Sequence, residues 1–212
     1  MTEAAAQPTS EWKFDLTGGR LCLNFVNTVS GKRPVSPNEH LHRFADLVAF
    51  GRQSGTVDEQ RARRLLNEGE RHPKLAAAVL QRSLELRETI YRVLLATARG
   101  ERPAEEDVEQ LNQELSRALC HQRLVKARDG WVLDWLDQNA MDSILWPVAK
   151  SAAEVLTSEA DRVRVCEAIL SDECYWLFID ETRNSSRRWC SMESCGNRAK
   201  ARRHYHRQKK SR

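Results

Sequence analysis

Four cysteines, Cys166, Cys174, Cys190 and Cys195, crowd into thirty residues near the C-terminal end of a 212-residue chain, and no other feature limits its folding so sharply. The segment that holds them, 162–212, is poor in aliphatic residues, and about fifty residues with so little apolar material cannot build a self-sufficient core. It needs a cross-link. A disulfide framework suits an oxidising compartment, but the chain opens on MTEAAAQPTSE, without the basic start and apolar stretch of a secretory signal. A cytoplasmic location is therefore the expectation, and there four neighbouring thiols point first to a metal site.

Zn2+ takes thiolates in a tetrahedron at about 2.3 Å, and four protein ligands close such a site to water. One structural Zn2+ is the expected cofactor, and its binding would supply most of the folding free energy of the segment. Cys190 and Cys195 are separated by four residues and followed by Gly196, which lets the backbone turn tightly. Cys166 and Cys174 are separated by seven, wider than the usual two to four, so His204 and His206 stand as alternatives to Cys166. Cys22 and Cys120 lie alone in apolar surroundings, where a thiol acts as a small hydrophobe.

The charge divides as the cysteines do. Residues 183–212 carry eleven Lys or Arg against the single acid Glu193, whereas 1–182 carries 23 basic and 29 acidic groups. A tail of +10 on a body of −6 is the asymmetry that points to a polyanion. After Cys195 the chain runs from Asn197 to Lys210 without Gly or Pro, which predicts a helix. Arg198, Lys200, Arg202, Arg203 and Arg207 ride on it, and Arg183, Arg187 and Arg188 lead into the second cysteine pair. A helix of this kind fits the DNA major groove, with Arg on guanine and other cations on phosphate. RNA is the rival partner, and a basic end that merely solubilises a protein-interaction adaptor is a third reading.

The remainder predicts a mainly α body, 12–158, after a mobile tail over 1–11. Helical spacing marks 38–54, 57–71, 73–99, 103–119 and 142–157, while 21–29 favours helix and 30–37, with Gly31, Pro34 and Pro37, a loop. Residues 122–127 and 131–135 alternate around Asp129-Gly130 as a hairpin, whose Trp131, Leu133 and Trp135 belong in the core or, alternatively, on a homodimer interface. A break at 158–161 separates the body from a 162–212 module, so removing that module is expected to leave a folded body. No run approaches the roughly 18 apolar residues of a membrane span. Gly-rich phosphate loops, nucleophile elbows and His-Glu-x-x-His zinc sites are missing, which argues against an enzyme. Asn24, Asn27 and Thr28, polar groups in an apolar run, satisfy backbone ends or line a pocket for a small effector.

Trp189-Cys190-Ser191-Met192-Glu193-Ser194-Cys195-Gly196-Asn197-Arg198-Ala199-Lys200, preceded by Trp176-Leu177-Phe178-Ile179-Asp180 and Arg183-Asn184-Ser185-Ser186-Arg187-Arg188, resembles the signature of the CGNR zinc-finger family. At the other end, Gly18-Gly19-Arg20-Leu21-Cys22-Leu23-Asn24-Phe25-Val26-Asn27-Thr28 resembles the start of the ABATE-type domain that usually precedes this finger. The resemblance implies a treble-clef-like finger with the four cysteines as ligands. It also implies a stress-responsive bacterial transcription regulator that binds DNA through that finger.

Overall fold

The computed structural model describes residues 12–33 and 35–210; the tail expected over 1–11 lies outside them. The fold is mainly α with small antiparallel hairpins. Its axis is α4 (Pro73–Ala98), about 39 Å long at 1.5 Å per residue. Pro73 sits in the first turn, where its missing N–H costs nothing, and Gly100 ends the helix at φ +69°. Around it pack α1 (Leu21–Val26), α2 (Phe44–Gln53), α3 (Glu59–Arg71), α5 (Glu105–Leu119) and α6 (Leu145–Ser158). Leu23, Phe25, Leu47, Phe50, Leu65, Leu86, Ile90, Leu94 and Ile144 fill the shared core. Asp58 caps α3 by accepting from the Arg61 amide at 2.7 Å. Pro147 falls in the first turn of α6, so it starts that helix without kinking it.

Two stretches depart from the sequence reading. The predicted loop 30–37 and the first residues of the predicted helix 38–54 form a hairpin, β1 (Val29–Lys32) with β2 (Ser36–Glu39), paired from Val29↔Glu39 to Lys32↔Ser36. Pro37 is tolerated because each strand of a two-stranded sheet is an edge. α2 begins only at Phe44, where Asp46 accepts from the amides of His42 and Arg43, both at 2.9 Å.

The second hairpin, β3 (Gln122–Ala127) with β4 (Gly130–Trp135), forms where the sequence places it. Its turn residues are Arg128-Asp129, one position earlier than expected, with Gly130 paired to Ala127. Trp135 packs beside Trp146 as predicted for the core, whereas Trp131 and Leu133 are exposed, 68% and 56%. β3 and β4 pair only with each other, and among the described residues nothing buries the outer half of that face.

β5 (Val163–Val165) and β6 (Leu177–Ile179) make the third hairpin. It brackets the first cysteine pair. Val163, Leu177 and Ile179 are fully buried and belong to the core that the helices build. Asn27 exchanges two hydrogen bonds with the Leu177 backbone, at 2.8 and 3.1 Å. α7 (Asn197–Lys210) then leads away from the cysteines. Among the described residues no helix is long and apolar enough to cross a membrane.

Candidate metal centre and nucleic-acid face

Cys166 follows β5 and opens a 3-10 turn, Glu167–Ser171, which stops at Asp172 in the left-handed conformation (φ 55°). That extra turn absorbs the seven-residue interval and returns the chain to Cys174. The second pair is set by a π-helical turn, Met192–Gly196, entered through the Ser191 side chain, which accepts from the Ser194 amide. A Cβ on Gly196 would lie 2.7 Å from Met192 Sδ, so the Met192 side chain would have to shift, and a tight 3.3 Å from Trp189 Cδ1.

The two turns bring all four Sγ atoms within 4.8 Å of one another, and all four residues are buried. Cys174–Cys190 is 3.7 Å and Cys190–Cys195 3.6 Å, and none is in a disulfide. A tetrahedron with 2.3 Å arms has edges of about 3.8 Å, so the donor set fits one Zn2+ closed by protein ligands. Cys166 is part of the set. His204 is exposed on α7, and the His206 side chain lies outside the described residues.

Four thiols this close cannot all ionise unaided. Hydrogen bonds from Cys166, Cys174 and Cys190, then the charge of Arg198, hold the Cys195 thiol far below its ordinary range. Hydrogen bonds with Cys174 and Cys190 bring Cys166 down to about 7. Cys174 and Cys190 are pushed up by their sulfur neighbours. A divalent cation removes that conflict by stabilising every thiolate together. Cys22, by contrast, is pushed up to about 12 by burial and is inert.

The residues around the sulfurs have separate tasks. Asn197 braces the loop by donating to the Glu193 carbonyl at 3.1 Å. Arg198 donates to Cys195 Sγ at 3.0 Å. Asp180, without exposed surface, accepts from the Thr182 amide and hydroxyl and from the Arg187 amide. Burial alone would raise its carboxyl, but those bonds hold it below the usual range. Asp180 and Glu173 were not singled out in the sequence, because nothing local marks a carboxylate as a brace.

The eight expected nucleic-acid residues do not form one equivalent set. Arg187 lies 4.4 Å over the Phe178 ring and donates to the carbonyls of Trp189, Ile179, Thr17 and Cys190. Its guanidinium is spent inside the protein. Arg188 is bound twice by Glu167, and Arg202 and Arg198 both pair with Glu173. Arg183, Lys200 and Arg203 are exposed and have no acidic partner among the described residues. The Arg207 side chain lies outside the described residues.

The residues suggested for an effector also make bonds within the protein. Asn24 Oδ1 accepts from the Gly18 amide at 2.9 Å, and Asn27 holds β6. Thr28 donates to the Phe25 carbonyl and accepts from Arg87. A cleft of about 670 Å³ lies elsewhere, beside α2 and α3, with Trp12 stacked on His40 at its edge.

A family model described as "Putative stress-induced transcription regulator", ABATE, matches residues 19–159, and the CGNR zinc finger matches 162–208. No curated protein matches the chain. The first model spans more than half of the sequence, and the second covers all four cysteines. The chain belongs to the ABATE family and carries a CGNR zinc finger at its C-terminal end.

Proposed function

We propose that this protein is a transcription regulator that grips duplex DNA with α7, using the zinc centre as the rigid mount for that helix. The observation that carries the reading is the composition of α7 together with its position. Asn197–Lys210 holds seven Lys or Arg and no acid, and its first turn is fixed to the cysteine cluster by Arg198 and Asn197. Like charges four apart, as in Arg198/Arg202 and Arg203/Arg207, weaken an isolated helix. A polyanion reverses that penalty. Four thiolates on one Zn2+ carry −2, so residues 183–212 taken together with the zinc centre retain about +8.

The free cations Arg183, Lys200 and Arg203 make the first phosphate contacts. Arg188, Arg198 and Arg202 join where phosphate displaces Glu167 and Glu173. Arg187 is left out, because its donors are satisfied internally. About five neutralised phosphates give a slope of log affinity on log salt near −4.5.

The test is titration of zinc-loaded protein into duplex DNA by fluorescence anisotropy over a range of salt. Lys200→Ala with Arg203→Ala should weaken binding at least tenfold and flatten the slope by about 2, with zinc content unchanged. An unaltered affinity and slope would remove α7 from the contact. RNA of matched length that competes more strongly than the duplex would make RNA the partner.

A further inference from the structure

Beside the zinc centre, the 3-10 turn Glu167–Ser171 and α7 enclose a groove of about 320 Å³. Its apolar wall is Leu170, Trp189 and Ala199, and its polar rim is Arg188, Arg202 and Arg203 with Glu167 and Ser171. We propose that this groove takes one base unstacked from a DNA strand, laid against Leu170 and Trp189, with the adjoining phosphate on Arg203. The inference rests on the DNA-binding reading above and adds a second kind of contact to it.

Leu170 is 83% exposed. An aliphatic side chain held in water beside a rim of arginines gains little from folding, and a flat apolar surface brought into the groove would cover it. Trp189 is half-buried against the cysteine cluster, so its indole is fixed in place before any ligand arrives. Ala199 is small and buried in the same wall, which keeps the groove open where a longer side chain would close it.

The charges select what enters. Arg188 lies 5.5 Å from the Trp189 ring and is bound by Glu167, and Arg202 is bound by Glu173. Arg203 is the remaining cation on the rim and has no acid among the described residues. One uncompensated cation beside one apolar slot suits one phosphate beside one base. An amphipathic acidic peptide would need a longer apolar track than Leu170 and Trp189 provide. Stacked bases inside a duplex present only their edges, so a base must leave the stack to enter. That costs least where it is already unpaired.

Three DNAs test this with the zinc-loaded full chain: a perfect duplex, the same duplex with one bulged base, and a single strand. The bulge carries 2-aminopurine, whose fluorescence falls on stacking. The bulged duplex should bind roughly tenfold tighter than the perfect one, as expected for one stacked base, with quenching. Leu170→Ser should abolish that preference and the quenching, while Leu170→Phe retains both. Neither variant should change affinity for the perfect duplex, because Leu170 carries no charge. Equal affinity for bulged and perfect duplexes, or a preference that survives Leu170→Ser, overturns the groove and leaves the α7 contact standing. A bulged RNA duplex bound as tightly as the bulged DNA overturns the assignment to DNA. If none of the three DNAs binds, the α7 reading falls and the groove falls with it.

Discussion

At Arg187 one guanidinium collects carbonyl oxygens from four places: Thr17 near the N-terminal end, Ile179 in β6, and Trp189 and Cys190 at the second zinc turn. The planar fork of donors suits that task, and an ammonium does not reproduce it. Through the Cys190 carbonyl the residue fixes a ligand's backbone, so its loss acts on the metal. Arg187→Ala should speed zinc transfer to a competing chelator by tenfold or more, in line with other outer-shell groups of metal sites, and Arg187→Lys should recover part of the loss. A dye that changes colour on taking up zinc measures both rates. Equal rates in the wild type and Arg187→Ala would mean that the four carbonyls do not need this donor. The same residue shows how far charge can be interpreted without structure. Its position among Arg183 and Arg188 makes it one more cation of a basic stretch, whereas its partners make it part of the scaffold.

Among the elements, the β1–β2 hairpin is held by ion pairs and has almost no apolar face of its own. Arg87 of α4, almost fully buried, takes both oxygens of Glu39 at 2.7 and 2.6 Å. Arg33 takes both oxygens of Glu88 at 3.1 and 3.0 Å and lies 3.7 Å over the Tyr91 ring. Burial alone would raise the carboxyls of Glu39 and Glu88, but the hydrogen bonds and charges of Arg87 and Arg33 outweigh it and hold both below their ordinary range. A carboxyl lowered in the folded state stabilises the fold fully above its unfolded value near 4.5. That contribution is lost as pH falls through the lower folded value. The urea midpoint should therefore drop below about pH 4.5, and Arg87→Met should both flatten that acid limb and cost about 2 kcal/mol at neutral pH. An acid limb of the same steepness in Arg87→Met would locate the titration elsewhere. This hairpin was also the element least legible in the sequence. Gly31, Pro34 and Pro37 are loop signals, and four-residue strands with a single buried residue, Val29, show no alternation. What makes them strands is docking through partners 48 and 55 positions away in the chain. α4 and α7 were legible because helical spacing or uninterrupted helix formers state themselves locally. The zinc ligands were legible because thiol chemistry needs no context beyond proximity. Leu133 and Trp131 mark the opposite limit: alternation shows that they share a face, but only the packing shows that both are exposed.

For the molecule as a whole, charge divides the chain where packing does not. The acidic body and the basic finger meet through Val163, Leu177 and Ile179, which are buried in the helical core. Polar bonds add to that joint. Ile179 N donates to the Gly18 carbonyl at 2.9 Å, Trp176 Nε1 donates to the Val29 carbonyl at 2.9 Å, and Lys32 pairs with Asp172 at 2.5 Å. Each of the three aliphatic side chains is worth roughly 1.5–3 kcal/mol when fully buried, or about 4.5–9 kcal/mol together. That is comparable to the whole stability of an ordinary domain. A chain ending at Asp161 would also strand both amide bonds of Asn27 in the core, since their partner is Leu177. The full protein should consequently melt in one transition that chelation of zinc moves to lower temperature, because the metal fixes the turns on either side of β6. The 1–161 chain should melt much earlier and less sharply by circular dichroism, and should bind a hydrophobic dye that the intact protein ignores. Leu177→Ala in the full chain isolates the packing from the truncation. It should lower the melting temperature without releasing zinc, since Leu177 faces the helices and the sulfurs lie on the far side of Phe178. A 1–161 chain as stable as the full protein, with Leu177→Ala silent, would make the finger a passenger on an independent body.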